Sequence, residues 1–154
     1  MGASSVSGVA IAQKHRSGRY RIVNSHQKEY IRHRLARAEE ALQEAELLFS
    51  QRHTNVTVNR LYYACFYAVT ARLLTEGYST SRHRGVRILF DKHWIKTGRL
   101  PKESSRIFRR FYDRRRQGDY EDFTRFTAEE VQPWFVEIRH FVKTISSLIE
   151  EQIQ

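Results

Sequence analysis

The sequence predicts an all-α protein, a bundle of about five helices. Three observations carry that prediction. Ile31, Leu35, Ala38, Leu42, Ala45 and Phe49 recur at alternating spacings of four and three, one continuous apolar stripe. Val131, Trp134, Phe135, Ile138, Phe141, Ile145 and Leu148 repeat at helical spacing near the far end. Between them, residues 59–74 hold no Gly or Pro and are apolar almost all round, the pattern of a central helix packed on several sides.

Taken in order, residues 1–26 read as a disordered basic tail. They carry Gly, Ser and four basic residues without a clear apolar period, no secretory core, and Val6 where a myristoylation signal requires Ser or Thr. They also lack acids, as transit peptides do, but a plain tail is the preferred reading. The helical bundle is expected over 27–154. Its first helix should span 27–51, with Arg32, Arg37, Glu40, Glu44 and Glu46 towards solvent. Thr54 or Asn55 should cap the second, which ends near Glu76 and Gly77. Along it, Leu61, Cys65, Ala68 and Leu73 form one side, Tyr62, Phe66 and Val69 a second, Tyr63 and Tyr67 a third. After a polar joint at 79–82, a third helix over 83–96 turns Val86, Leu89, Phe90 and Trp94 inward. Thr97 and Gly98 stop it. Pro101 suits the first turn of a fourth helix, which presents Ile107, Phe108, Phe111 and Tyr112 to the core. Gly118 then permits a tight turn. Thr127 and Glu130 form a capping box for the fifth helix, with Pro133 early enough to be tolerated. No stretch reads as a strand.

A chain of 154 residues fits one domain with a real core. Its single cysteine, Cys65, excludes an internal disulfide and suits a reducing compartment. Among apolar neighbours its thiol should be inert. No apolar run approaches the ~20 residues that span a bilayer, so a soluble, cytoplasmic protein is expected. The net charge is +10, all of it in 82–116, where thirteen Lys and Arg face Asp91, Glu103 and Asp113. Such a localised, arginine-rich surface fits a polyanion, RNA or DNA first. An acidic partner protein comes second and an anionic membrane a distant third.

No glycine loop for phosphate is present, and the seven histidines are scattered without metal-ligand spacing. No metal or cofactor is expected. His83 and His93 lie in the basic segment, as phosphate contacts or as solvated or capping residues. Asn59 and Arg60 are polar exceptions at the start of the central helix. Arg60 either pairs with an acid or marks a site. Arg115, Asp119 and Tyr120 form the other polar oddity. A fixed guanidinium holds phosphate, and a nearby phenol or carboxylate positions a hydroxyl. On residues alone the preferred reading is structural, with Asp119 and Asp122 neutralising arginines and Tyr120 anchoring a loop.

Four stretches together resemble the HEPN family of small bacterial and archaeal helical proteins. They are Arg-Leu-Ala-Arg-Ala-Glu-Glu-Ala-Leu at 34–42, Asn-Arg-Leu-Tyr-Tyr-Ala-Cys-Phe-Tyr-Ala at 59–68, the helix from His83 to Phe90, and Arg-Arg-Gln-Gly-Asp-Tyr at 115–120. The resemblance runs from about residue 29 to 149. It implies an up-and-down bundle of about five helices that forms a homodimer. It also implies a toxin or defence role beside a small nucleotidyltransferase-like partner, and, in catalytic members, metal-independent cleavage of RNA. The family's arginine, followed four to six residues on by histidine, corresponds here to Arg115. The sequence departs from the pattern at the histidine: none lies within six residues after Arg115, and Tyr120 and Asp122 stand there instead.

The leading expectation is therefore a HEPN-like toxin or defence component that binds RNA, tRNA included. If it cleaves, it is a metal-independent endoribonuclease with Arg115, Tyr120 and Asp119 as catalytic residues. Asn59, Arg60, His83, Arg109, Arg110, Arg114 and Arg116 would bind RNA or nucleotide. The alternative is a non-catalytic module for a nucleotide or for the nucleotidyltransferase partner.

Overall fold

The computed structural model describes residues 25–154, together with the backbone of Gln13–Lys14 and Tyr20–Arg21. Five helices follow one another: α1 (Ser25–Ser50), α2 (Thr54–Leu74), α3 (His83–Phe90), α4 (Lys102–Tyr120) and α5 (Ala128–Ile153). The fold class is the one expected. The tail assigned to 1–26 falls almost wholly outside the described residues. Its last two residues, Ser25 and His26, belong to α1. A two-residue antiparallel ladder pairs Gln13 with Arg21 and Lys14 with Tyr20, where no strand was expected.

The central helix is α2, as its composition required. It packs against α1, α3, α4 and α5. Val58, Leu61, Tyr62, Cys65, Ala68 and Val69 are fully buried along it. Alanines on both partners (Ala38, Ala41 and Ala45 on α1; Ala64, Ala68 and Ala71 on α2) are fully buried. Side chains that small let the two backbones approach closely. A tight connection joins this pair, with Arg52 at a left-handed φ of 66°. The capping box of α5 forms as expected: Thr127 accepts from the Glu130 backbone, and Glu130 accepts from the Thr127 N–H.

Four local expectations are corrected. Neither Thr54 nor Asn55 caps α2; His53 occupies the cap position without a side-chain bond. The Asn55 amide instead donates to the carbonyls of Thr124 (2.8 Å) and Gly118 (3.3 Å), and its oxygen accepts from the Phe126 N–H (3.1 Å). The helix expected over 83–96 ends as an α-helix at Phe90 and continues as a π-helical turn, Asp91–Ile95. There Lys96 N–H donates to the Asp91 carbonyl (2.8 Å), and the Asp91 carboxylate accepts from Ser105 (2.6 Å). Pro101 precedes α4 rather than lying in its first turn. Most important, the chain does not turn at Gly118, because α4 continues to Tyr120. A Cβ at Gly118 would lie 3.0 Å from the Phe126 ring. The glycine serves close packing of the α4–α5 connection against α4.

Asn55 thus fastens the start of α2 to the end of α4 and the loop beyond. Asn55→Ala should destabilise the fold by about 2 kcal/mol, since three backbone groups lose a partner. Urea denaturation at fixed pH would measure it.

Candidate functional site

Arg115 follows Phe111 by four residues and Phe108 by seven, so it continues the buried stripe of α4. Its guanidinium is therefore drawn inward, and the residue is only 7% exposed. Aromatic rings line the space it enters. The guanidinium carbon lies 5.0 Å from the centroid of Tyr62, 5.7 Å from Tyr112, and 5.8 Å from both Tyr63 and Tyr120. Each contact within about 6 Å contributes cation–π attraction. The nearest carboxylate oxygen, Asp119 Oδ2, is 3.9 Å away, a loose ion pair one helical turn on. Arg115 Nε is buried with no hydrogen-bond partner among the described residues.

Asp119 is held from α2. Asn59 donates to its Oδ2 (2.8 Å), while the Asn59 oxygen accepts from Arg60 Nε (3.0 Å) and Nη2 (2.9 Å). Arg60 lies 4.9 Å over the Tyr63 ring, with Glu44 of α1 at 3.8 Å. Of the two roles expected for Arg60, pairing with an acid is present, and its contact with Asn59 puts it next to the Asp119 cluster.

His83, the first residue of α3, packs against the same tyrosines, Tyr62 and Tyr63. Its Nδ1 is 2.6 Å from the Tyr62 hydroxyl, and its ring stacks on Phe66 at 4.5 Å. Thr80 closes in behind: a Cβ on Gly85 would meet its Oγ1 at 2.8 Å, so only glycine permits that approach without a shift. Burial, then the nearby Arg115 charge, lowers the His83 pKa below the ordinary histidine value. Burial raises the Tyr62 phenol above its ordinary range, partly opposed by Arg115. At neutral pH both are uncharged.

The structure thus gathers Arg115, Asp119, Tyr120, Asn59, Arg60 and His83 at one end of the bundle. Tyr120 is 72% exposed and does not anchor the loop. Phe126 does that, edge-on to Trp134 at 5.6 Å. Arg116 adjoins the cluster through Tyr112 (5.8 Å). Three other candidates lie apart from it. Arg109 is exposed on α4. Arg110 pairs with Glu137 and Glu103. Arg114 stacks 3.7 Å over Trp134 towards α5, its pKa lowered by burial and by Arg110. Tyr62, Tyr63, Phe66 and Tyr112, which the sequence assigns to the packed faces of α2 and α4, are site neighbours that sequence reasoning does not single out. The register of Arg115 with Phe108 and Phe111 is the signal that its guanidinium needed such neighbours. Among the described residues, no group of three or more His, Cys, Asp or Glu is placed to hold a metal ion, and no helix is long and apolar enough to cross a membrane.

A bundle of five helices among the described residues, with the buried Arg115 guanidinium in a cage of tyrosines, defines a small all-helical domain with a cationic cluster at one end. The chain belongs to the HEPN-domain family, whose model matches residues 31–149. It is 39% identical over 115 residues to a UPF0332 protein of Thermotoga maritima, covering 75% of this chain and 87% of the relative. It is 31% identical over 114 residues to a Methanocaldococcus jannaschii protein named "Putative toxin MJ0142", covering 74% and 78%. With a second protein of that organism, "Putative toxin MJ0605", identity is 30% over 130 residues, covering 84% and 96%.

Two outcomes follow from the geometry. Replacing Arg115 with alanine should move the His83 pKa upward, read from the imidazole proton shifts in an NMR titration. Because folding lowers that pKa, the unfolded chain binds the proton more tightly. The stability associated with neutral His83 is full above about pH 6.5 and is lost as pH falls below it. His83→Gln should therefore flatten part of the fall in thermal midpoint between about pH 7 and pH 5.

Proposed function

We propose that this protein is an RNA-binding toxin or defence component that cuts RNA without a metal, with Arg115 as the phosphate clamp. The supporting observation is the Arg115 guanidinium itself: it is buried, held by tyrosine faces, and only loosely paired with Asp119. An arginine in low dielectric that is not fully neutralised has a strong field for an incoming phosphate. Two relatives carry the name toxin, which supports the same role. The rings of Tyr63 and Tyr120 beside Arg115 suit stacking of unpaired bases.

The chemistry needs only the substrate's own nucleophile. The 2′-hydroxyl attacks the adjacent phosphorus, the 2′-O–P bond forms as the P–O5′ bond breaks, and a 2′,3′-cyclic phosphate remains. The proton released by the 2′-hydroxyl is balanced by the one taken up by the departing 5′-oxygen. Arg115 stabilises the added charge at phosphorus. In a homodimer two such clusters would face a single RNA strand, and a small nucleotidyltransferase-like protein would serve as the second component of the pair. The missing histidine after Arg115 favours a second reading, in which the cluster binds RNA or a nucleotide without cleaving it.

Purified protein incubated with tRNA and mRNA in EDTA should cleave, and Arg115→Ala should cleave at least about 100-fold more slowly. Equal cleavage by both proteins would identify a contaminant. Retention without cleavage would establish the second reading. In either reading that involves RNA, affinity should fall steeply with salt, linearly in log–log form.

A further inference from the structure

The stretch after Arg115 lacks an imidazole, yet the fold brings one to the same tyrosines from α3. The His83 ring lies 5.7 Å from Tyr62 and 5.9 Å from Tyr63, and the Arg115 guanidinium packs against those same two rings. Tyr62 is fully buried, and His83 Nδ1 is the hydrogen-bond partner of its hydroxyl. If Nδ1 carried the ring proton, the phenolic O–H would be buried without an acceptor. The phenol therefore donates to Nδ1, and the imidazole proton resides on Nε2.

We propose that His83 is a phosphate-contacting residue, donating a hydrogen bond from Nε2–H to the phosphate that Arg115 holds, and that Tyr62 is the positioning residue that fixes its tautomer. This rests on the reading of Arg115 given above. His83 transfers no proton in this role. Like the guanidinium, it stabilises charge on the non-bridging oxygens, which is greatest as the 2′-oxygen bonds to phosphorus. The lowered basicity of His83 agrees with a neutral donor rather than a base. The surroundings are consistent with that state. Arg115 opposes protonation of His83, and Phe66, Tyr62 and Tyr63 are the rings packed around it.

The test uses the full chain and a single-stranded RNA oligonucleotide with 2′-deoxyribose throughout the cleavable positions, so that binding is read alone by fluorescence anisotropy. His83→Ala should bind about tenfold more weakly, the scale of one hydrogen bond to a charged group. His83→Gln, whose amide keeps an N–H donor at similar reach, should recover most of that loss. Nitrogen-15 spectra of the wild type should show the proton on Nε2, and Tyr62→Phe should weaken that preference together with binding. Unchanged affinity in His83→Ala, or a proton found on Nδ1, would overturn the assignment while Arg115→Ala still lost binding. Should Arg115→Ala bind as tightly as the wild type, the underlying reading of the site fails as well.

Discussion

The arrangement depends on one constraint, the placement of a guanidinium at a core position of α4. Arg115 occupies the turn after Phe111, on the face that seals α4 against α2, so its charge cannot escape to solvent along the helix surface. A buried charge with a tight carboxylate would be neutral and inert. One with no partner at all would cost several kcal/mol. Arg115 is held between these limits. Tyrosine faces supply diffuse negative potential, and Asp119 stands at 3.9 Å, its carboxylate shared with Asn59. The cation is tolerated without being neutralised, and such an arginine keeps attraction to spare for an anion.

That balance is maintained by features remote from it in sequence. Asn55 binds the carbonyl of Gly118, and Gly118 admits the Phe126 ring, so the end of α4 lies close to the start of α2. Only then does Asn59, one turn further along α2, reach Asp119. Arg60 in turn orients the Asn59 amide by donating twice to its oxygen, which leaves the amide nitrogen to face the carboxylate. Glu44 brings α1 into the same chain of contacts. Three helices therefore share the cost of ordering one carboxylate beside one guanidinium.

The helices were legible because apolar periodicity is a local property, and here it is nearly unbroken in α1 and α5. The cap of α2 and the chain at Gly118 differ from the sequence expectation because Asn55 and Gly118 each have two uses. Asparagine caps helices and also bridges loops. Glycine permits turns and also permits contact. Sequence alone ranks the first use higher, and a tertiary neighbour (Phe126 in both cases) decided for the second. The candidate site was legible in part. Arg115, Asp119, Tyr120, Asn59, Arg60 and His83 do converge, whereas Arg109, Arg110 and Arg114 were grouped with them only by proximity in the chain. Helical geometry separates Arg114 from Arg115 by roughly 100°, enough to send one to Trp134 and the other to Tyr62. The link from Tyr62 to His83 spans two elements and had no local signal.

The basic segment also divides by role once its partners are known. Arg99 is bound to Glu76, Arg110 to Glu137 and Glu103, and Arg106 to Glu103. Those charges are largely neutralised at short range. Arg82 just before α3, and Arg84, Lys92, Lys96, Lys102, Arg109 and Arg116 on α3, α4 and the connection between them, remain exposed. Their field extends about 8–10 Å at physiological ionic strength, beyond which salt screens it. It can raise the local concentration of a polyanion and orient its approach, but it cannot select one phosphate. Arg115, screened by protein rather than by salt, has the opposite character: a short reach and a fixed direction. A steep salt dependence would then belong to the exposed residues, and dependence on a single side chain to Arg115. The two contributions are separable because the fold keeps one in water and the other out of it.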